Sequence, residues 1–138
     1  MTVKEKQDLI EKAILAREKS YSPYSNFSVG AALVTNDGKI FTGANIESSS
    51  HTPTVCAERV AFFTAVHSGE KKFKAIAIVG GKSGLPISDF CSPCGVCRQV
   101  MAEFADGDFL IIMSNGKDIK DYKLSELLPH SFGKDSLK

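Results

Sequence analysis

Cys91-Ser92-Pro93-Cys94-Gly95-Val96-Cys97 is the densest run of reactive side chains in the sequence. Cys94 and Cys97 stand three apart at a predicted helix start, and positions three apart share a helix face. Both sulfurs can then meet one cation, and the free N–H groups of the first turn favour thiolates. Pro93 suits the entry to such a helix. Cys56 occupies a matching place, after Pro53 and just ahead of an apolar helical stripe. Two helix N-termini converging on one cation would help to offset the charge of three thiolates. Three protein ligands leave a fourth position for water, the mark of a catalytic zinc site. Glu58 stands two residues beyond Cys56. Two residues apart in mid-helix would point Glu58 away, so Cys56 is expected at the helix boundary.

Spacing alone leaves other readings open. A Cys-x-x-Cys pair also occurs in thioredoxin-type redox centres, although no Trp precedes this one and Cys56 would go unused. A closed structural site could use all four cysteines, since Cys91 is also three residues from Cys94. Ser92 precedes a proline and is biased toward extended backbone. That bias takes Cys91 off the face shared by Cys94 and Cys97.

The elements that must position these groups follow from periodicity. Thr2 and Glu5 form a capping box. Leu9, Ile10, Ala13 and Ile14 fall on one helical face, giving a first helix to about Ser20. Residues 21–26 are turn-rich, and Phe27 stands beside them outside any strand. Val29 to Thr35 and Ile40 to Asn45 read as a hairpin around Asn36-Asp37-Gly38. Ser48 to Pro53 is a polar loop. A second helix runs from near Cys56 to Ser68-Gly69. Ala75 to Val79 is a buried-type strand, and residues 80–92 read as a loop. A third helix follows Pro93 to about Phe104, and Phe109 to Met113 is a fourth strand. A weak strand follows Asn115-Gly116, and Ser125 to Leu128 can form a short helix stopped by Pro129. This order implies an α/β domain, a three-layer α-β-α arrangement. Its mixed central sheet has an antiparallel hairpin at one end and parallel, right-handed β-α-β steps after it.

Composition narrows the function. The 138 residues suit one domain spanning the whole chain. Lys and Arg total 17 against 16 Asp and Glu, so a net charge of +1 gives no pull toward nucleic acid or membrane. No stretch approaches the ~18 apolar residues of a membrane span. The polar, acid-bearing segment 1–12 lacks the pattern of a secretory or transit signal. A cytoplasmic, reducing location is expected, where cysteines serve as thiols or metal ligands.

Cys56-Ala57-Glu58 followed by Pro93-Cys94-Gly95-Val96-Cys97 resembles the zinc deaminase signature, in its three-cysteine form. The likeness extends over residues 24–34, 43–47, 56–59, 92–99 and 127–132, and over this span the chain resembles the small, homotetrameric, zinc-dependent cytidine deaminases. The resemblance implies one zinc ion per subunit, held by Cys56, Cys94 and Cys97. It implies hydrolytic deamination of cytidine and deoxycytidine, a step of pyrimidine salvage, with Glu58 as general acid/base. It further implies that Phe27 packs on the pyrimidine, that Asn45 and Glu47 bind the ribose hydroxyls, and that the backbone of Ala57 holds the pyrimidine edge. Arg59 would hydrogen-bond to the ligand sulfurs. Phe132 would help to close a neighbouring subunit's pocket. Three thiolates outweigh the charge of one zinc ion, so a cation such as Arg59 keeps the metal acidic. Asn45 and Glu47, two apart at a strand end, face the same way and together offer donors and acceptors. The run from Ser48 to His51 departs from the family pattern, which commonly continues with small or amide residues and then a Tyr. A deaminase of another aminopyrimidine or nucleoside-like antibiotic, and a non-catalytic four-cysteine module, are the competing readings.

Overall fold

A computed structural model describes residues 1–137. In chain order it has α1 (Val3–Arg17), β1 (Phe27–Thr35), β2 (Ile40–Ala44), α2 (Ala57–His67), β3 (Phe73–Lys82), α3 (Gly95–Phe104), β4 (Leu110–Ser114), β5 (Ile119–Lys123) and α4 (Leu124–Leu127). A 3-10 turn covers Lys134–Leu137. The five strands form one mixed sheet in the order β2-β1-β3-β4-β5. The β1–β2 hairpin lies at one end and is antiparallel. β3 pairs antiparallel with β1 and parallel with β4. β2 and β3 therefore run the same way with β1 between them. The weak strand predicted after Asn115-Gly116 is β5, antiparallel to β4.

The predicted capping box is present: Thr2 and Glu5 exchange side-chain and backbone hydrogen bonds. Leu9, Ile10 and Ala13 of α1 pack with Ala32, Ala77, Val79 and Ile112 on one face of the sheet. Ala57, Ala61, Phe62 and Ala65 of α2, with Cys97 and Met101 of α3, cover the other face. These are the three layers expected from the sequence.

Several boundaries differ from periodicity. α1 ends at Arg17, not Ser20, because Glu18, Lys19 and Ser20 each donate three residues back and tighten the chain into turns. β3 is longer than Ala75 to Val79 and takes in Gly80 and Gly81, which read as a loop. Pairing with Val29 and Ser28 of β1 carries it on. The same pairing places Phe27, across from Lys82, inside β1 and not beside it. β2 stops at Ala44, though the Asn45 N–H still reaches the Val29 carbonyl. β4 and α4 are each displaced by one residue from the predicted bounds.

Two glycines let the helices sit directly on the sheet. A Cβ at Gly30 would stand 2.0 Å from the Ala13 carbonyl oxygen of α1. One at Gly43 would stand 2.5 Å from the Ala57 oxygen and 2.6 Å from the Ala61 nitrogen of α2. Both collisions are with helix backbone, so neither can be relieved by a rotamer change. Gly43→Ala should therefore lift the first turn of α2 and cost about 1–3 kcal/mol. Chemical denaturation would read this as a lower midpoint at unchanged slope.

Candidate metal centre

The Cys56 and Cys94 side chains stand at the same structural position on two helices. Cys56 is the N-cap of α2, with extended backbone (φ −71°, ψ 155°). Cys94 is the N-cap of α3, with φ −67° and ψ 165°. Their carbonyls accept the first helical bonds, from Val60 and Arg98. Neither sulfur accepts a cap hydrogen bond from its own helix. The sulfurs turn to one another instead: Cys56 Sγ is 3.8 Å from Cys94 Sγ, and Cys94 Sγ is 3.4 Å from Cys97 Sγ. Cys97 lies in the first turn of α3 and is buried. All three sulfurs fall within 4.8 Å of one another.

A tetrahedral zinc ion with sulfur at ~2.3 Å separates its ligand sulfurs by about 3.8 Å. Two of the three sulfur pairs already have that spacing to within a few tenths of an ångström, and the third pair lies within 4.8 Å. Arg59 supplies a second sign of fit. Its Nη2 donates to Cys56 Sγ at 3.5 Å, while its buried Nε has no hydrogen-bond partner among the described residues. Three metal-bound thiolates would give that N–H an acceptor. Cys91 is not part of the cluster, as the Ser92-Pro93 bias predicted. All four cysteines are free.

Electrostatics divide the three thiols before any metal enters. Hydrogen bonding from Cys97 first, and from Arg59 and Cys94, pulls the Cys56 thiol down to about 5. The same bond, together with burial, pushes the Cys97 thiol up. Glu58 is only 4% exposed. Burial first, then the charge on Cys56, raises its carboxyl to about 7. A cation at the three sulfurs would offset part of that rise. Because Cys56 is a cap in extended conformation, Glu58 can turn to the sulfurs from the first turn of α2. The boundary position expected for Cys56 is thus what brings the carboxyl to the cluster.

Asn45 and Glu47 lie one strand-end away, and the chain already uses most of their hydrogen-bonding capacity. Asn45 Oδ1 accepts from Ser20 Oγ at 2.5 Å and from the Val29 N–H at 2.9 Å. Its Nδ2 donates to the Phe27 carbonyl at 2.8 Å. One amide N–H remains free, so Asn45 can offer a donor but no acceptor. Glu47 Oε1 accepts from the N–H groups of Tyr24 and Ser25, at 3.0 and 3.1 Å. The Ser25 hydroxyl donates to Oε2. Chiefly that hydroxyl holds the Glu47 carboxyl below the usual range. The balance of donors and acceptors expected of the pair is thus split, with a donor left on Asn45 and acceptor capacity on Glu47.

Phe27 is 40% exposed and Phe132 is 62% exposed. Phe132 is tied down through its carbonyl, which accepts from Gln99 Nε2 at 2.7 Å. Sequence reasoning missed the supports of the site. Arg17 holds the carbonyls of Ser28, Lys82 and Leu85. Arg98 ties the Pro93 carbonyl to that of Leu127, at 2.8 Å each. Ser20 and Ser25 brace Asn45 and Glu47. Most of these contacts join residues more than twenty positions apart and have no signature in local spacing.

Comparison with known proteins agrees with this geometry. The family model described as the cytidine and deoxycytidylate deaminase zinc-binding region matches residues 3–113. A cytidine deaminase of Sporosarcina psychrophila is 48% identical over 132 residues, covering 95% of this chain and 93% of the relative. One from Halalkalibacterium halodurans is 47% identical over 130 residues, covering 93% of this chain and 94% of the relative. The crystal structure of cytidine deaminase from Burkholderia pseudomallei superposes with a TM-score of 0.84 at 45% identity, covering 96% of this chain and all (100%) of that one. The three-sulfur cluster, the carboxyl beside it and the sheet that carries them are accordingly those of a member of the cytidine and deoxycytidylate deaminase zinc-binding family, to which this chain belongs.

Proposed function

We propose that the protein, acting as one domain, hydrolyses cytidine and deoxycytidine to uridine and deoxyuridine with release of ammonia. The observation that carries this reading is a buried carboxyl, Glu58, beside three sulfurs spaced for one metal ion. Zinc held by Cys56, Cys94 and Cys97 supplies a Lewis-acid position that makes water ionisable near neutral pH.

Glu58 does the proton work. It takes a proton from the attacking water and delivers it to the ring nitrogen beside the reacting carbon. It then returns a proton to the amino group, the C–N bond breaks, and ammonia leaves. A carboxyl raised by burial can both accept and donate within one turnover. Arg59 balances the excess negative charge of the thiolates. Ala57 is the first residue of α2, and its backbone N–H lies among those left free at a helix start. That N–H can hold the pyrimidine edge. Phe27 provides an exposed ring face for the base. Asn45 donates to the sugar and Glu47 accepts from it.

Formation of one ammonia and one uridine for each cytidine consumed tests the reaction. Glu47→Gln tests the sugar contact. Loss of a charged acceptor is worth about 1.5–3 kcal/mol, so KM for cytidine should rise about ten- to hundredfold with a smaller change in kcat. The rise should shrink for 2′,3′-dideoxycytidine, which lacks the hydroxyls. An equal rise for both substrates would assign Glu47 to structure alone.

We also propose that the chain works as a homotetramer. Tyr24, Phe27, Ile46, Val96 and Phe132 are exposed on the segments that carry the site. Apolar surface placed so is normally covered, and in this reading the exposed Phe132 ring helps to close a neighbour's pocket. A nucleoside then binds between subunits. No helix among the described residues is long and apolar enough to cross a membrane. Free thiols that serve as ligands suit a reducing, cytoplasmic setting.

A further inference from the structure

Gly80 lacks room for a side chain for a different reason from Gly30 and Gly43. At those two positions a Cβ would strike helix backbone. At Gly80 the three atoms nearest a Cβ belong to side chains: Cys91 Sγ at 2.9 Å, Phe27 Cε1 at 3.1 Å and Cys91 Cβ at 3.2 Å. Gly80 lies in β3, opposite Val29 of β1. The following chain folds back on it, bridging Gly80 to Asp89 and so delivering Cys91 to this spot. The Phe27 ring and the Cys91 thiol therefore converge on bare backbone. The thiol also lies within electrostatic reach of Glu58 and Cys56. Phe27, Gly80 and Cys91 thus form one packed group at the base of the exposed ring.

We propose that Gly80 and Cys91 are positioning residues, the absent side chain of one and the thiol of the other together setting where the Phe27 ring stands relative to Glu58. The proposal rests on the reading of Phe27 as the platform for the pyrimidine. A methyl group at Gly80 must move the ring, the thiol or both by several tenths of an ångström. No backbone atom is among the three nearest, and Cys91 Cβ has to give by only a few tenths of an ångström, so the fold and the metal cluster should survive. The base, resting on the ring, is displaced from Glu58 and from Ala57. Misplacement on the ångström scale costs catalysis up to about a hundredfold, so a fraction of that shift should cost about tenfold.

The test is a set of variants assayed as zinc-loaded protein. Gly80→Ala should keep its zinc content and lose about tenfold in kcat/KM for cytidine. Adding Cys91→Ala removes the nearest clashing atom, so the double variant should recover most of that loss. In a Phe27→Ala background the Gly80→Ala change should have almost no further effect, because the ring it acts through is gone. Cys91→Val crowds the ring from the other side and should reproduce the loss, which keeps the test available if Gly80→Ala folds poorly. Wild-type kcat/KM in both Gly80→Ala and Cys91→Val, or a double variant no better than Gly80→Ala, would overturn the proposal. A Phe27→Ala protein with unchanged KM would instead overturn the platform reading itself.

Discussion

Glu58→Gln should leave a folded, zinc-containing protein that deaminates cytidine at least about a thousandfold more slowly. The amide matches the carboxyl in shape but can neither take the proton from water nor return one to the leaving nitrogen. General acid–base catalysis is worth about 10²–10⁴-fold, and here one group serves several transfers. The loss should fall on kcat, with KM changed little. Stability should move the opposite way. A carboxyl at 4% exposure whose value is raised from 4.5 to about 7 is held at a cost once it ionises. The folded state keeps its proton where the unfolded chain has lost it, so this group weakens the metal-free protein as pH rises through that window. Glutamine has no such penalty. The metal-free variant should gain stability relative to wild type between about pH 4.5 and 7, as read by denaturant midpoints across that range. A variant with near-normal turnover would remove Glu58 from the mechanism.

Cys97→Ser should have the second large effect. Cys97 is the buried member of the sulfur cluster, and its sulfur accepts from Cys94 Sγ at 3.4 Å. Loss of a supporting group around a metal site commonly costs 10–100-fold in affinity, so loss of a ligand should cost on the order of a hundredfold or more. Metal binding contributes to folding, so the unfolding midpoint in zinc should fall toward that of the metal-free protein. Cys91→Ser is the control. It lies outside the cluster and should retain zinc at wild-type stoichiometry. Equal zinc loss in both variants would favour a four-cysteine site. Full metal content in Cys97→Ser would remove Cys97 from the ligand set.

The metal centre was legible in the sequence because it is local. Cys94 and Cys97 lie within one helical turn, and Pro93 marks the entry. Cys56 and Glu58 carry the second half on another helix start. What spacing could not give was the meeting of the two starts. That depends on Gly43, which lets α2 lie flat on β2. The three layers followed from the apolar stripes of α1, α2 and α3. The strand bounds did not, because Gly80 and Gly81 have turn-like chemistry and only pairing with β1 holds them extended. Phe27 was misplaced beside a turn for the same reason. The pairing of Asn45 with Glu47 was suggested by resemblance and not by pattern. Its polarity, one donor from Asn45 and one acceptor from Glu47, depends on Ser20, Ser25 and the Val29 N–H, which no local rule would connect.

The most direct measurement is the ultraviolet absorbance change on mixing the purified protein with cytidine. It should be made on the zinc-loaded protein, after removal of zinc by a chelator, and after zinc is restored. Conversion to uridine is expected in the first and third cases and almost none in the second. Conversion at an undiminished rate by the metal-free protein, or none by the zinc-loaded one, would rule out metal-dependent deamination of cytidine.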